Sequence, residues 1–280
     1  LLMIHKLEHL ELMAINSCQL SCKACATFSD LKHSGYVTWE QGKAELLPWL
    51  DRLDLECVGI MGGEPLMNPR IKDWLIGLRD LMPDTQIRLP TNGLLLYKHM
   101  DLVALMNEIG NCVLKISYHI DDRTLRATIK DIISKYDFRP VTEFGINRWS
   151  TKNNFKFQIN SPEKFLKSFR NEYTNMQPHD SDPKEAFEVC VCQRCAFLHH
   201  GQLFKCSIAG LTPELHKRFN SPNKDMWQPY LNTGLTIDCS EKDLKNFVRN
   251  FGSPHSICRQ CPTEQDKDSV IDHKNTIMIK

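Results

Sequence analysis

Hydrophobic residues in the first 160 positions recur in two alternating patterns. Short apolar runs of the kind that form buried strands occupy residues 10–16, 57–61, 86–89, 113–118 and 155–159. Between successive runs, apolar residues recur three and four positions apart, as on one face of an amphipathic helix. Strands that alternate with helices through short connections form a parallel sheet covered by helices. The pattern therefore predicts an α/β fold, with its chemistry at the carboxyl ends of the strands.

Local capping chemistry predicts where several helices begin. Thr38 and Gln41 have the spacing of a capping box and precede a helical apolar stripe. A second helix is expected to begin at Asn68, which is followed by proline. A further helix with a phenylalanine-rich face is expected after Ser161 and Pro162. Residues 144–146 are another strand candidate.

The regular alternation ends near residue 176. Beyond it only residues 214–219 and 241–251 have helical periodicity, and cysteines are frequent. A segment with so little apolar pattern is expected to need a metal in order to fold. We therefore predict a first domain at residues 1–175 and a small cysteine-rich C-terminal domain at residues 176–280.

Composition and charge exclude several classes of function. The 280 residues are 41% hydrophobic and 25% charged, as in globular proteins. The 35 basic and 34 acidic residues leave a net charge of +1, so a nucleic-acid partner is not expected. No apolar run approaches the ~20 residues that span a bilayer, and the first residues do not resemble a signal peptide. The expectation is a cytoplasmic protein without a membrane partner.

The twelve cysteines are the unusual feature of the composition. Thiols in a reducing compartment point to metal sites more than to disulfides. Cys18, Cys22 and Cys25 have the spacing Cys-x3-Cys-x2-Cys after the first predicted strand. Three thiolates suit iron or zinc, and a four-iron cluster with three protein ligands keeps one iron open. A zinc knuckle and a set of buried thiols are the alternatives.

Three further motifs follow the triad in chain order. Gly62-Gly63-Glu64-Pro65 ends the second predicted strand, Thr91-Asn92-Gly93 ends the third, and Ser117 lies in the fourth. Glycines allow a close approach of the backbone to a ligand, and a glutamate can accept a hydrogen bond from an ammonium. With the cysteine triad, these motifs resemble the radical S-adenosylmethionine (SAM) superfamily.

The resemblance covers roughly residues 8–160 and implies a partial (β/α)6 barrel of radical SAM type. It implies a 4Fe-4S cluster at the cysteine triad, an electron donor such as flavodoxin or ferredoxin, and cleavage of SAM to a 5′-deoxyadenosyl radical that abstracts hydrogen from substrate. The residues that it assigns to SAM binding are Gly62, Gly63, Glu64, Pro65, Asn92 and Ser117. The family usually has an aromatic residue where this chain has Ala24, and we hypothesise that Phe28 substitutes for it.

A second cysteine group lies in the predicted C-terminal domain. Its order, with a hairpin around Gly201 and a closing Cys-x2-Cys pair, resembles the twitch or SPASM domains that hold an auxiliary iron–sulfur cluster. The preferred ligands are Cys195, Cys206, Cys258 and Cys261, with Cys192 in reserve. Cys190 fits the longer family spacing to Gly201. The alternative is a structural zinc ribbon that uses His199 or His200.

The resemblance leads to one main function and two rivals. The main prediction is a radical SAM oxidoreductase that oxidises or cross-links a peptide or sugar-like small-molecule substrate with the help of the auxiliary cluster. The first rival is a redox-neutral epimerase, for which Cys239 is the candidate catalytic hydrogen donor. The second is a non-catalytic zinc-binding protein.

Overall fold

The computed structural model describes residues 3–31, 33–141, 147–162, 164–220, 222–272 and 277–278. Its strands are β1 His5–Leu7, β2 Leu10–Ile15, β3 Leu20–Ser21, β4 Leu53–Leu55, β5 Cys57–Gly62, β6 Gln86–Thr91, β7 Cys112–Ser117, β8 Arg139–Pro140, β9 Asn147–Ser150, β10 Lys156–Asn160, β11 Lys164–Leu166, β12 Ala196–His199, β13 Gln202–Phe204, β14 Val270–Asp272 and β15 Ile277–Met278. Its α-helices are α1 Trp39–Leu50, α2 Ile71–Leu81, α3 Met100–Ile109, α4 Arg123–Lys135, α5 Pro183–Glu188, α6 Ser207–Phe219, α7 Lys224–Leu231 and α8 Glu241–Arg249.

A mixed nine-stranded sheet, in the order β13-β12-β2-β5-β6-β7-β10-β9-β8, organises the molecule. The strands from β12 to β10 are parallel to their neighbours, whereas β13, β9 and β8 are antiparallel additions at the two edges. The largest fully buried side chains include Trp49, Trp74, Phe155 and Phe157. The predicted α/β fold is confirmed, and the six parallel strands match the strand number of the partial barrel.

One of these parallel strands comes from the cysteine-rich part of the chain. β12 pairs with β2, with Ala196 opposite Leu10 and Leu198 opposite Leu12. The sheet thus continues across residue 175, and the domain boundary stays a prediction. Two short helices of this part, α5 and α7, lack the periodicity that the sequence analysis used, although Trp227 and Tyr230 of α7 are buried.

The start of α1 is as predicted, whereas the start of α2 is not. Both hydrogen bonds of the capping box at Thr38 are present. The N-cap of α2 is Arg70 and not Asn68, whose side-chain oxygen accepts from the Arg70 backbone at 2.8 Å before the helix begins. The Asn68 side-chain nitrogen donates to the carbonyl oxygens of Ala14 at 2.9 Å and Val37 at 3.1 Å. This side chain ties β2 to the segment before α1, and the helix begins at Ile71.

The predicted helix after Ser161 and Pro162 is wrong. The segment forms β11, which pairs antiparallel with β14, with Phe165 opposite Ile271. Apolar spacing within the segment cannot reveal a partner strand so distant in the chain. The strand candidate at 144–146 lies outside the described residues. Among the described helices, none is long and apolar enough to cross a membrane.

Candidate active site

A cavity of about 880 Å³ opens at the carboxyl ends of the parallel strands. The loop after each strand contributes predicted site residues to its wall. These are Cys18, Cys22 and Cys25 after β2, Gly62 to Pro65 after β5, Asn92 after β6, and Ser117 at the end of β7. The structure therefore brings together the cysteine triad and all six predicted SAM-binding residues, which the sequence places up to about a hundred positions apart.

None of the three cysteines of the triad, all of which the structure describes, is joined in a disulfide. The pKa of the Cys18 thiol is raised to about 12, chiefly by burial and also by the nearby Glu64 and Cys25, against a hydrogen bond from the backbone of Leu20. A thiolate in such surroundings needs a cation, and a metal ion deprotonates the thiols that it binds. Three cysteine side chains on one cavity wall fit a cluster with three protein ligands.

The glycine pair keeps two loops in contact. A Cβ on Gly62 would lie 2.1 Å from the carbonyl oxygen of Ile15, and one on Gly63 would lie 2.1 Å from that of Ser17. The backbone of Gly63 donates to Ile15 at 2.9 Å, and that of Glu64 to Ser17 at 2.8 Å. The close approach that requires glycine is thus to the chain itself, and it fixes this loop against the loop that carries the cysteines.

Glu64 connects the ends of β5 and β6. Its carboxylate accepts hydrogen bonds from the Thr91 hydroxyl at 2.5 Å, the Asn92 backbone at 2.8 Å and the Leu66 backbone at 3.0 Å. Burial raises its pKa to about 6, although these hydrogen bonds oppose the shift. Both oxygens are engaged within the protein, so the geometry favours a bracing role over the expected acceptor for an ammonium.

Cysteines of the second group divide between two places. Burial raises the pKa of Cys261, and the neighbouring Cys206, Cys190 and Cys258 raise it further. Burial likewise raises the pKa of Cys206 to about 12, with contributions from Cys190 and Cys258. All of these thiols are free. A mutual cluster of thiols fits a four-thiolate metal site. Cys190 neighbours Cys206, Cys258 and Cys261, and Cys195 also neighbours Cys206, so the structure adds Cys190 to the candidate ligands.

Cys195 and Cys192 line the active-site cavity instead. Burial raises the pKa of Cys195, and the neighbouring Glu11 raises it further. Cys192 lies near both groups of thiols. It forms a hydrogen bond with Cys190 that raises the pKa of Cys192, and the nearby Cys195 and Cys206 also raise this pKa.

The sequence analysis did not identify two charged side chains that line the cavity, Glu11 and Lys115. Glu11 and Lys115 line it together with Cys195, and we call these three residues the polar floor. Burial raises the pKa of Glu11 to about 7 and lowers that of Lys115. The signal in the sequence that could have identified such residues is a single charged residue between apolar ones in a buried strand, as in Leu10-Glu11-Leu12.

Residues 13–144 match the model of the radical SAM superfamily. This part of the chain is therefore similar to a radical SAM domain. No curated protein matches the chain.

Three solved structures are similar to the chain. A crystal structure of BtrN in complex with AdoMet and 2-DOIA has 12% sequence identity and a TM-score of 0.49, covering 92% of this chain and 94% of that one. Streptococcus suis SuiB bound to S-adenosylmethionine has 15% identity and a TM-score of 0.39, covering 90% and 77%. SuiB bound to precursor peptide SuiA has 16% identity and a TM-score of 0.31, with 45% of this chain aligned to 36% of that chain.

Two predicted participants are not among the residues that line the cavity. Cys239 accepts a hydrogen bond from Arg52 at 3.4 Å, and neither of these two residues is among those that line the cavity. Its role as hydrogen donor stays a prediction that this placement does not favour. Phe28 is 3% exposed and packs against Phe169, with ring centroids 6.5 Å apart. It is not among the residues that line the cavity, so its substitution for an aromatic residue at Ala24 gains no support.

Proposed function

We propose that the chain is a radical SAM enzyme that binds substrate in the 880 Å³ cavity. Cys18, Cys22 and Cys25 hold a 4Fe-4S cluster, and Gly62, Gly63, Glu64, Pro65, Asn92 and Ser117 surround SAM. When bound, the cluster and SAM supply the 5′-deoxyadenosyl radical that abstracts hydrogen from the substrate. The observation that carries the proposal is the shared cavity, because the three cysteine side chains of the triad line it together with the motif residues.

Asn92 links the SAM-binding wall to the cysteine triad. Its side-chain oxygen accepts from Gln19 at 3.0 Å and from the backbone of Leu94 at 3.0 Å, which orients the amide group. The amide nitrogen then points toward the Cys18 sulfur at 3.9 Å. Hydrogen bonds to a ligating sulfur tune the reduction potential of a cluster, so Asn92 is placed to adjust the electron-transfer step.

The polar floor supports a substrate with hydroxyl or amine groups. Glu11 accepts and Lys115 donates hydrogen bonds, and both lie in a cavity otherwise rich in apolar wall. A sugar-like molecule or a peptide side chain has the matching chemistry. Conversion of an alcohol to a carbonyl removes one hydrogen atom from carbon, one proton from oxygen and one electron. When bound at Cys190, Cys206, Cys258 and Cys261, an auxiliary cluster would supply the acceptor for that electron.

Redox-neutral epimerisation is the second candidate, and Cys195 favours it. Its thiol lines the cavity, whereas the thiols clustered around Cys261 lie elsewhere. A thiol in that position can return a hydrogen atom to a substrate radical. Turnover in deuterium oxide separates the two reactions. Deuterium on the product carbon indicates epimerisation, and a mass loss of two hydrogens indicates oxidation.

The basic test is formation of 5′-deoxyadenosine by the anaerobically reconstituted and reduced protein. We expect the wild-type chain and the Cys239→Ala control to form it, and Cys22→Ala to form none. Wild-type protein with a full iron content that forms no 5′-deoxyadenosine would overturn the proposal. A zinc content with no iron would support the non-catalytic alternative.

A further inference from the structure

Two histidines meet a glutamate outside the active-site cavity. Nε2 of His199 lies 2.6 Å from Oε1 of Glu214, and Nε2 of His200 lies 3.0 Å from the same oxygen. All three ligand atoms lie within 4.8 Å of one another. One carboxylate oxygen is therefore shared by two imidazole nitrogens.

The hairpin turn between β12 and β13 creates this arrangement. His200 and Gly201 both have positive φ angles, +49° and +71°, as in a two-residue type I′ turn. Asparagine is the residue preferred before glycine in such a turn, and this chain has histidine there. The turn places the His200 ring 4.0 Å from that of His199, measured between centroids, and directs both rings toward α6.

The cluster borders its own cavity of about 280 Å³. Glu45 of α1 also lines this cavity, and its carboxylate accepts a hydrogen bond from the backbone of Gly201 at 3.2 Å. Two adjacent imidazoles repel each other when both are protonated, whereas neutral imidazoles and a carboxylate are common zinc ligands. The space beside them leaves room for water as a remaining ligand.

We propose that His199, His200 and Glu214 bind a divalent cation of the zinc type. Nitrogen and oxygen ligands distinguish this site from both cysteine groups, since thiolates favour softer metals and iron–sulfur clusters. The cation would join the β12–β13 hairpin to α6. This site is independent of the proposed radical chemistry.

The test is calorimetric titration of Zn²⁺ into the full chain after anaerobic reconstitution with iron, with iron measured before and after. We expect about one Zn²⁺ per chain and no loss of iron. His200→Ala and Glu214→Gln should weaken binding about 10-fold or more, since even ligand-orienting residues matter by that factor. His33→Ala is the matched control, because this histidine also contacts α6, through Arg218, but lies outside the cluster.

Two results would overturn the site. One is the lack of zinc binding by the iron-loaded wild-type chain. The other is equal affinity in wild type, His200→Ala and Glu214→Gln, which would assign the zinc to cysteine thiolates. The His200 side chain is 73% exposed, so its replacement should leave the fold intact, and retained iron content verifies this.

Discussion

Single residues of this chain were predictable where their partners are near in sequence. Thr38 and Gln41 satisfy each other across one helical turn, so their roles follow from spacing. Asn68 is of a residue type that commonly caps helices, but its side-chain nitrogen donates hydrogen bonds to carbonyl groups of β2 and of the segment before α1. The role of Glu64 in the candidate active site was likewise not predictable from nearby residues, because its donors Thr91 and Asn92 lie at the end of another strand, β6.

The bracing role of Glu64 gives a prediction for Glu64→Gln. The change puts an NH₂ group where a carboxylate oxygen accepts backbone and hydroxyl donors, and one buried donor loses its partner. We expect the free energy of unfolding to fall by about 1–3 kcal/mol. SAM binding should weaken too, because Asn92 loses its anchor. Denaturant unfolding and equilibrium SAM binding measure the two effects.

The exposed Glu40 provides the control for this substitution. Its side chain is 66% exposed, and Glu40→Gln should change stability by less than about 0.5 kcal/mol. Wild-type stability and SAM affinity in Glu64→Gln would contradict the bracing role.

Elements of secondary structure were predicted well where strands and helices alternate. β2, β5 and β7 are short apolar runs that are buried at most positions, and the helices between the strands each bury one apolar face. β11 was mistaken for a helix, since its apolar residues are organised by pairing with β14. The hairpin around Gly201 was predicted from its turn glycine, whereas its attachment to β2 was not.

The positions of Cys190 and Cys195, which precede the hairpin, lead to a prediction for the second metal site. Cys190→Ala should lose about four irons per chain, because Cys190 lies with Cys206, Cys258 and Cys261. Cys195→Ala should retain these irons, because Cys195 belongs to the polar floor of the cavity. Iron analysis and electron paramagnetic resonance of the reduced proteins measure this. The reverse pattern would restore Cys195 as the ligand, and zinc at this site would exclude the auxiliary iron–sulfur cluster.

At the scale of the whole molecule, the cysteine-rich part completes the central sheet. β12 covers the edge of β2, and its Leu198 is buried in the same core as Leu10 and Leu12. An exposed edge of a hydrophobic strand invites association between chains. The two predicted domains are thus joined by backbone pairing as well as by the chain.

This pairing predicts the behaviour of a fragment that contains residues 1–175. Without β12, the fragment exposes the edge of β2, and we expect it to associate or aggregate under conditions in which the full chain does not. Size-exclusion chromatography with light scattering compares the two. A monomeric fragment with cooperative unfolding would instead establish residues 1–175 as an independent domain.

The sequence by itself determined the α/β class and most of the parallel core strands, and it named candidate residues for the first site, because periodicity and short motifs depend on neighbours in the chain. Only the tertiary structure decided which atoms those residues meet. In the folded chain, Thr91 and Asn92 donate hydrogen bonds to the Glu64 carboxylate. Glu11 and Lys115 line the same cavity, and Cys239 is not among its lining residues. These outcomes depend on contacts between distant segments, which packing and strand pairing create and no local pattern encodes.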